Sequence, residues 1–177
     1  MAKTTEIAPN IYRISIYAQW GDLQFNHFLV KDDEPLLFHT GLRGMHAEIR
    51  EAVSKLINVS DLRHISFSHF ESDECGALNE WLGVAPKADV ICSQVGAMVC
   101  VNDFIGREAR ALTDGESFST GKLRFRYCGR PICRTAGTQV CFLKRPRKRC
   151  CARTCSIRTV TPSPLLLTMS SGARMKR

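Results

Sequence analysis

Ser66 to Leu82 reads SFSHFESDECGALNEWL, and within it His69, Glu71 and Asp73 stand at alternate positions directly after an apolar run. In an extended segment leaving a strand, side chains at i, i+2 and i+4 project the same way. One imidazole and two carboxylates can then converge on one point. Mixed nitrogen and oxygen donors suit iron, zinc or manganese, with a lean towards iron. The competing reading is a solvated turn with scattered polar residues. Against it stand the buried-looking strand HISFS before the motif and the helical GALNEWLGV after Gly76. Open α/β folds place their sites where strands end.

The flanking elements have to hold that loop. NIYRISIYAQ and LQFNHFLVKD have β-rich, partly alternating character with a turn at Gly21-Asp22 between them, and EPLLFHTG is a short apolar run closed by glycine. MHAEIREAVSKLI carries Ile49, Val53, Leu56 and Ile57 at helical spacing. LRHISFSHF predicts a strand, GALNEWLGV a short helix, ADVICS a strand, QVGAMVCVNDF a helix and KLRFRY a last strand. Strands alternating with helices predict an α/β layered domain. His27 falls within a strand, His46 at a helix start and His64 at a strand start, so each is expected to be structural or solvated. Cys75 is expected to be a small buried residue at a helix start, and Leu78, Trp81 and Leu82 core residues.

Charge divides the chain. Residues 1–127 carry 13 Lys and Arg against 17 Asp and Glu, a net of −4. Residues 128–177 carry 12 Lys and Arg with no acid, and six of the nine cysteines. All five histidines (His27, His39, His46, His64, His69) and both tryptophans precede the boundary. The organisation expected is an α/β domain over 1–127 and an irregular, basic, Cys-rich tail over 128–177, disordered by propensity. No apolar stretch approaches the roughly 18 residues of a membrane span. The opening MAKTTEIAPN lacks an apolar leader core. The expected location is cytoplasmic.

Strand, H-x-[HE]-x-D and then helix resembles the first metal loop of the metallo-β-lactamase superfamily. Glu71 at the second donor position looks like its flavodiiron, oxygen-binding di-iron branch rather than its zinc hydrolases. The resemblance reaches from the N-terminus through NHFLV and PLLFHTG to about Tyr127, and implies the N-terminal half of an αββα sandwich. It also implies that His69 and Glu71 bind a first iron and Asp73 a second, with dioxygen or a related small oxidant as ligand. An external electron donor is the implied partner. Glu74 stands where the family commonly has histidine, and is the fourth candidate ligand, a weakened one for the second metal. His39 stands where many members have aspartate before Thr-Gly, and is expected to support or pack rather than ligate.

The family's later donors are missing, because no histidine follows His69 and no acid follows residue 127. Three ligands on one loop do not make a stable binuclear centre, so weak or single-metal binding and little activity are expected. A truncated half sandwich is also expected to leave one sheet face uncovered. Read one base out of register, the codons for Gly129–Val140 are compatible with WTPHLPHGWDAG, and those for Ala152–Ser156 with CSDLF. These resemble the family's second metal loop and the strand end carrying its bridging aspartate. A one-base frame displacement near Tyr127 and Cys128 would account together for the missing donors and the basic, cysteine-rich tail.

Two other function classes stay open at this point. One is a hydrolase, zinc in place of iron, using a metal-activated water on an ester or lactone. The other is a non-enzymatic binding protein whose Lys144–Arg149 run, KRPRKR, meets an acidic partner. Nucleic acid is a disfavoured partner, since only Phe142 accompanies that run and base stacking needs aromatics. The tail cysteines match no ordinary zinc spacing.

Overall fold

The computed structural model describes residues 1–131, 138–140, 142–143 and 166–167. A mixed seven-stranded sheet runs in chain order from β1 (Lys3–Ala8), β2 (Ile11–Ala18), β3 (Leu23–Val30) and β4 (Leu36–Phe38) to β5 (His64–Ser66), β6 (Asp89–Ser93) and β7 (Arg110–Leu112). The first four strands pair antiparallel and β4 to β7 pair parallel. Short turns suffice for the antiparallel part: Asn10 and Asp22 take left-handed φ values of 62° and 50° where β1 meets β2 and β2 meets β3. Asparagine and aspartate visit that region more readily than most residues.

Parallel pairing requires crossovers, and helices supply them. α1 (His46–Ser54) joins β4 to β5, and α2 (Ser72–Cys75) and α3 (Leu78–Val84) join β5 to β6. α4 (Gln94–Gly96) runs through a wider π turn (Ala97–Val101) into α5 (Asn102–Ile105) before β7. α1 buries Ile49, Ala52 and Val53, the i, i+3, i+4 stripe of a helix lying on a sheet. These helical residues, with Leu78 and Trp81, pack on the row Leu29, Leu37, Ile65 and Val90, which are successive cross-strand neighbours from β3 to β6.

The opposite face carries Phe28, Val30, Leu36, Phe38, Ile91 and Leu112, clustered with Phe118, Phe125 and Tyr127. The antiparallel hairpin of β8 (Ser117–Ser119) and β9 (Arg124–Arg126) belongs to this side, where Phe118 stacks on Phe125 at 5.5 Å and meets His64 edge-on at 5.7 Å. The expectation of an uncovered sheet face is therefore not met: Phe28, Phe38 and Ile91 are buried. The reason is that β8 and β9, of which only the second was legible, bring their aromatic residues onto that face.

Two short antiparallel ladders follow, β10 (Gly129–Pro131) with β11 (Thr138–Val140) and β12 (Phe142–Leu143) with β13 (Leu166–Leu167). The rest of the Cys-rich segment lies outside the described residues, and with it the expectation of a disordered or frame-displaced tail and the KRPRKR run. Among the described residues no helix is long and apolar enough to cross a membrane.

Candidate metal loop and its buried support

β4 and β5 are parallel neighbours, so their carboxyl ends open side by side, and His39 and the four candidate ligands follow directly from these two ends. After Phe38 the chain turns through His39 (φ 65°) and Gly41 (φ 82°). Left-handed backbone at a non-glycine residue costs about 1–3 kcal/mol and persists only where its surroundings hold it. Here His39 N–H donates to the Ser66 carbonyl at 2.8 Å, and Thr40 N–H donates to the Glu74 carbonyl at 2.7 Å. Thr40 Oγ1 donates to the same carbonyl at 3.2 Å, and the Trp81 indole N–H donates to the Thr40 carbonyl at 3.3 Å.

After Ser66 the chain bends through residues 68–71, and Ser72–Cys75 forms one helical turn with Glu71 extended before it (φ −127°, ψ 148°). The extended i, i+2, i+4 loop expected of His69, Glu71 and Asp73 is therefore not what the chain forms. His69 and Glu71 leave a bent segment, while Asp73 and Glu74 leave the first turn of a helix. The physical reason is local: the backbone N–H groups of Glu74 and Cys75 donate to the Glu71 carbonyl at 2.9 and 2.8 Å, which ends the extended run at Glu71.

The four candidate ligands consequently face different surroundings. Glu71 is exposed, Asp73 and His69 are half-buried, and Glu74 is fully buried. Both Glu74 carboxylate oxygens accept from the Ser68 hydroxyl, at 2.7 and 2.6 Å. The backbone N–H of His69 donates to Oε2, and His69 Nδ1 lies 3.3 Å from Oε1. His39 Nε2 lies 3.4 Å from Oε2 and 3.1 Å from Ser68 Oγ. Among the described residues, no three His, Cys, Asp or Glu side chains are gathered closely enough to cage an ion.

His39 belongs to this support, and burial outweighs the neighbouring Glu74 carboxylate to hold its pKa below the usual range. His27, on β3, donates from Nδ1 to the His39 carbonyl at 3.3 Å, and burial pushes its pKa down to about 3. Its Nε2 has no hydrogen-bond partner among the described residues, which is consistent with a neutral ring. His46 meets Trp81 edge-on at 5.1 Å, and His64 Nε2 lies 3.2 Å from Glu34 Oε2. The structural readings of His27, His46 and His64 hold, as do the buried positions of Leu78 and Trp81, with Leu82 partly buried. Cys75 is buried, its thiol donates to the Glu71 carbonyl at 3.3 Å, and burial pushes its pKa up to about 12. It is an inert thiol, not a reactive one.

A family model described as ODP family beta lactamase matches residues 23–120. A curated relative from Nostoc sp. PCC 7120, named Putative diflavin flavoprotein A 2, is 29% identical, with 52% of this chain and 18% of that protein aligned. A flavo di-iron protein from Thermotoga maritima has the same fold at a TM-score of 0.68 and 22% identity, covering 80% of this chain and 39% of its own. The rubredoxin oxygen:oxidoreductase from Desulfovibrio gigas gives 0.69 at 15% identity, covering 80% and 38%. The mixed sheet with its crossover helices is thus the metallo-β-lactamase fold of flavodiiron cores. The chain spans 18% of the curated relative's length and 38–39% of these two structures.

Proposed function

This chain belongs to the ODP beta-lactamase family, and on that premise we propose that it is an iron-binding protein of the oxygen-binding di-iron type. His69, Glu71 and Asp73 are its donors. The observation that supports this reading is the pairing of His69 Nδ1 with the buried Glu74 carboxylate at the carboxyl end of a central parallel strand. A carboxylate on one ring nitrogen is the usual partner of a metal-binding histidine, because it keeps the proton on that nitrogen and leaves the other to the metal.

The donor chemistry fits one ion. An imidazole and two carboxylates suit iron, whereas a second ion would need donors beyond those in residues 1–128. Iron bound there would supply redox chemistry towards dioxygen or a related small oxidant, with electrons from an external donor. This chain's own part is to present a neutral imidazole and two carboxylates at the surface, over a dry support made by Ser68, His39 and Trp81.

Anaerobic titration of ferrous iron into the metal-free full chain, with bound metal counted after gel filtration, tests the reading. The expected result is one weakly held iron per chain, lost in His69→Ala. Iron binding no greater than that of His69→Ala would overturn it. Two tightly held ions per chain would overturn the single-site form, and a preference for zinc with ester hydrolysis would favour the hydrolase reading. The frame-displacement proposal is separately decided by the coding DNA across Arg126–Arg130, where a missing or extra base relative to a frame encoding TPHLPHGWD is expected.

A further inference from the structure

We infer that Glu74, one of the four candidate ligands, is not a metal donor in this chain but the residue that positions His69, clamping its ring in the tautomer with the proton on Nδ1. The inference deepens the proposed iron site, and its central measurement needs no metal.

The Glu74 carboxylate has little capacity left. An ionised carboxylate offers about four lone-pair directions. Around Glu74 stand the Ser68 hydroxyl, the His69 backbone N–H and His69 Nδ1, with His39 Nε2 at 3.4 Å. Three of these groups donate to the carboxylate, so a metal on it would have to fit beside them, and any donor it displaced would be left without its acceptor in the interior. Leaving a buried donor unmade is the expensive side of hydrogen bonding.

Glu74 also differs from the outer acids in direction. Glu74 is fully buried while Glu71 is exposed, so the carboxylate lies beneath the loop and the other donors lie on it. Its backbone is fixed separately, since the Glu74 carbonyl accepts from both Thr40 N–H and Thr40 Oγ1. One residue therefore ties residues 68 and 69 to the helical turn by its side chain, and ties that turn to the end of β4 by its main chain.

The sense of the bonds selects the tautomer. A carboxylate can only accept, so His69 Nδ1 must carry the proton in the 3.3 Å contact. A neutral ring then holds its lone pair on Nε2. Ser68 donates its single proton to one Glu74 oxygen at a time, while the His39 ring donates from Nδ1 to the Asn26 carbonyl at 3.3 Å, which leaves its Nε2 an acceptor facing Ser68 Oγ. The donors onto Glu74 are thus the Ser68 hydroxyl, the His69 backbone N–H and His69 Nδ1.

Long-range proton–nitrogen correlation spectra of the metal-free full chain, labelled with nitrogen-15 in histidine, read the tautomer directly. Near neutral pH the His69 ring is expected to show a protonated Nδ1 and a bare Nε2. In Glu74→Ala that signature should be lost, and in Glu74→Gln, whose amide oxygen still accepts from Nδ1, largely kept. A wild-type ring with its proton on Nε2 would overturn the inference without any variant needing to fold. So would an unchanged tautomer in a Glu74→Ala protein that still unfolds cooperatively. Ferrous iron affinity in Glu74→Gln should fall by about 10- to 100-fold at most, the usual effect of changing a ligand's supporting partner. Loss as complete as in His69→Ala would instead make Glu74 a donor and overturn the inference. If no iron binds the wild type while the tautomer is as expected, the iron reading fails and the clamp stands.

Discussion

The ring of His27 occupies the space into which a side chain on residue 41 would project: a Cβ built on Gly41 would lie 2.7 Å from His27 Cε1 and 2.6 Å from Ile49 Cδ1. Residue 41 also has φ of 82°, so a substitution meets backbone strain and collision together. Gly41→Ala is expected to cost about 1–3 kcal/mol from the backbone alone, and more once Ile49 moves. Chemical denaturation should show a lower midpoint with an unchanged slope, and a midpoint within error of the wild type would refute this.

Acid is expected to weaken the protein by a predictable route. The His27 ring takes a proton near 6.5 in the unfolded chain but only at about 3 when folded. Between those values the unfolded state binds more protons, so the stability present above about pH 6.5 is lost as pH falls towards 3. The slope for one such group is about 1.4 kcal/mol per pH unit. Burial lowers His39, His46 and His64 as well, which adds loss in the same direction. Urea midpoints at about pH 7 and 5 measure this. His27→Asn keeps an N–H donor near the His39 carbonyl but takes no proton, and its midpoint should fall less on acidification.

Cys75 and Cys92 should resist thiol reagents in the folded chain. Burial pushes both up to about 12 and both side chains are buried, so almost no thiolate exists at neutral pH. The sign for stability is opposite to that of His27. The contribution of these raised groups is complete below the ordinary thiol value and is lost as pH rises towards 12. Mass-spectrometric mapping after brief labelling near neutral pH should find both unmodified, and modified once denaturant is present. Rapid native labelling of either would contradict the burial described.

Position in the sheet should separate two small truncations. Leu37 is fully buried in β4 between Leu29 and Ile65, whereas Val95 is 65% exposed on α4. Leu37→Ala is expected to cost about 2–5 kcal/mol, and Val95→Ala to stay within about 0.5 kcal/mol of the wild type. Thermal unfolding of the two side by side decides it, and equal losses would mean the core is not where it is described.

Much of this arrangement was readable from residue order. The alternation in NIYRISIYA and LQFNHFLV marks β2 and β3, and the short apolar runs around Leu36–Phe38 and Ile65 mark strands buried on both faces. β1 was missed because KTTEIA is largely exposed and mostly polar at the sheet edge, with little hydrophobic signal. β7 and β8 are three residues each, too short for a period to show. At the candidate site, the grouping of one histidine and three acids on one loop was legible but the directions of their side chains were not. Alternation holds only while the backbone stays extended, and the helical turn at Ser72–Cys75 breaks it. That turn sends Glu74 inward, and nothing in SFSHFESDEC distinguishes an inward glutamate from an outward one.

The row Leu29, Leu37, Ile65 and Val90 has a further consequence for how the molecule opens. Amides in the middle of a sheet, covered on both faces, exchange with solvent only when the whole domain unfolds, while edges and exposed turns exchange through small local openings. β4 and β5 lie in the middle of the seven strands, and the loop bearing His69 begins two residues after β5. The surface end of that loop can breathe, but its root is fixed to the last part of the protein to come apart. A substitution that loosens the central strands should therefore loosen the root of the loop that carries His69 and Glu71, and with it any iron affinity of the proposed site.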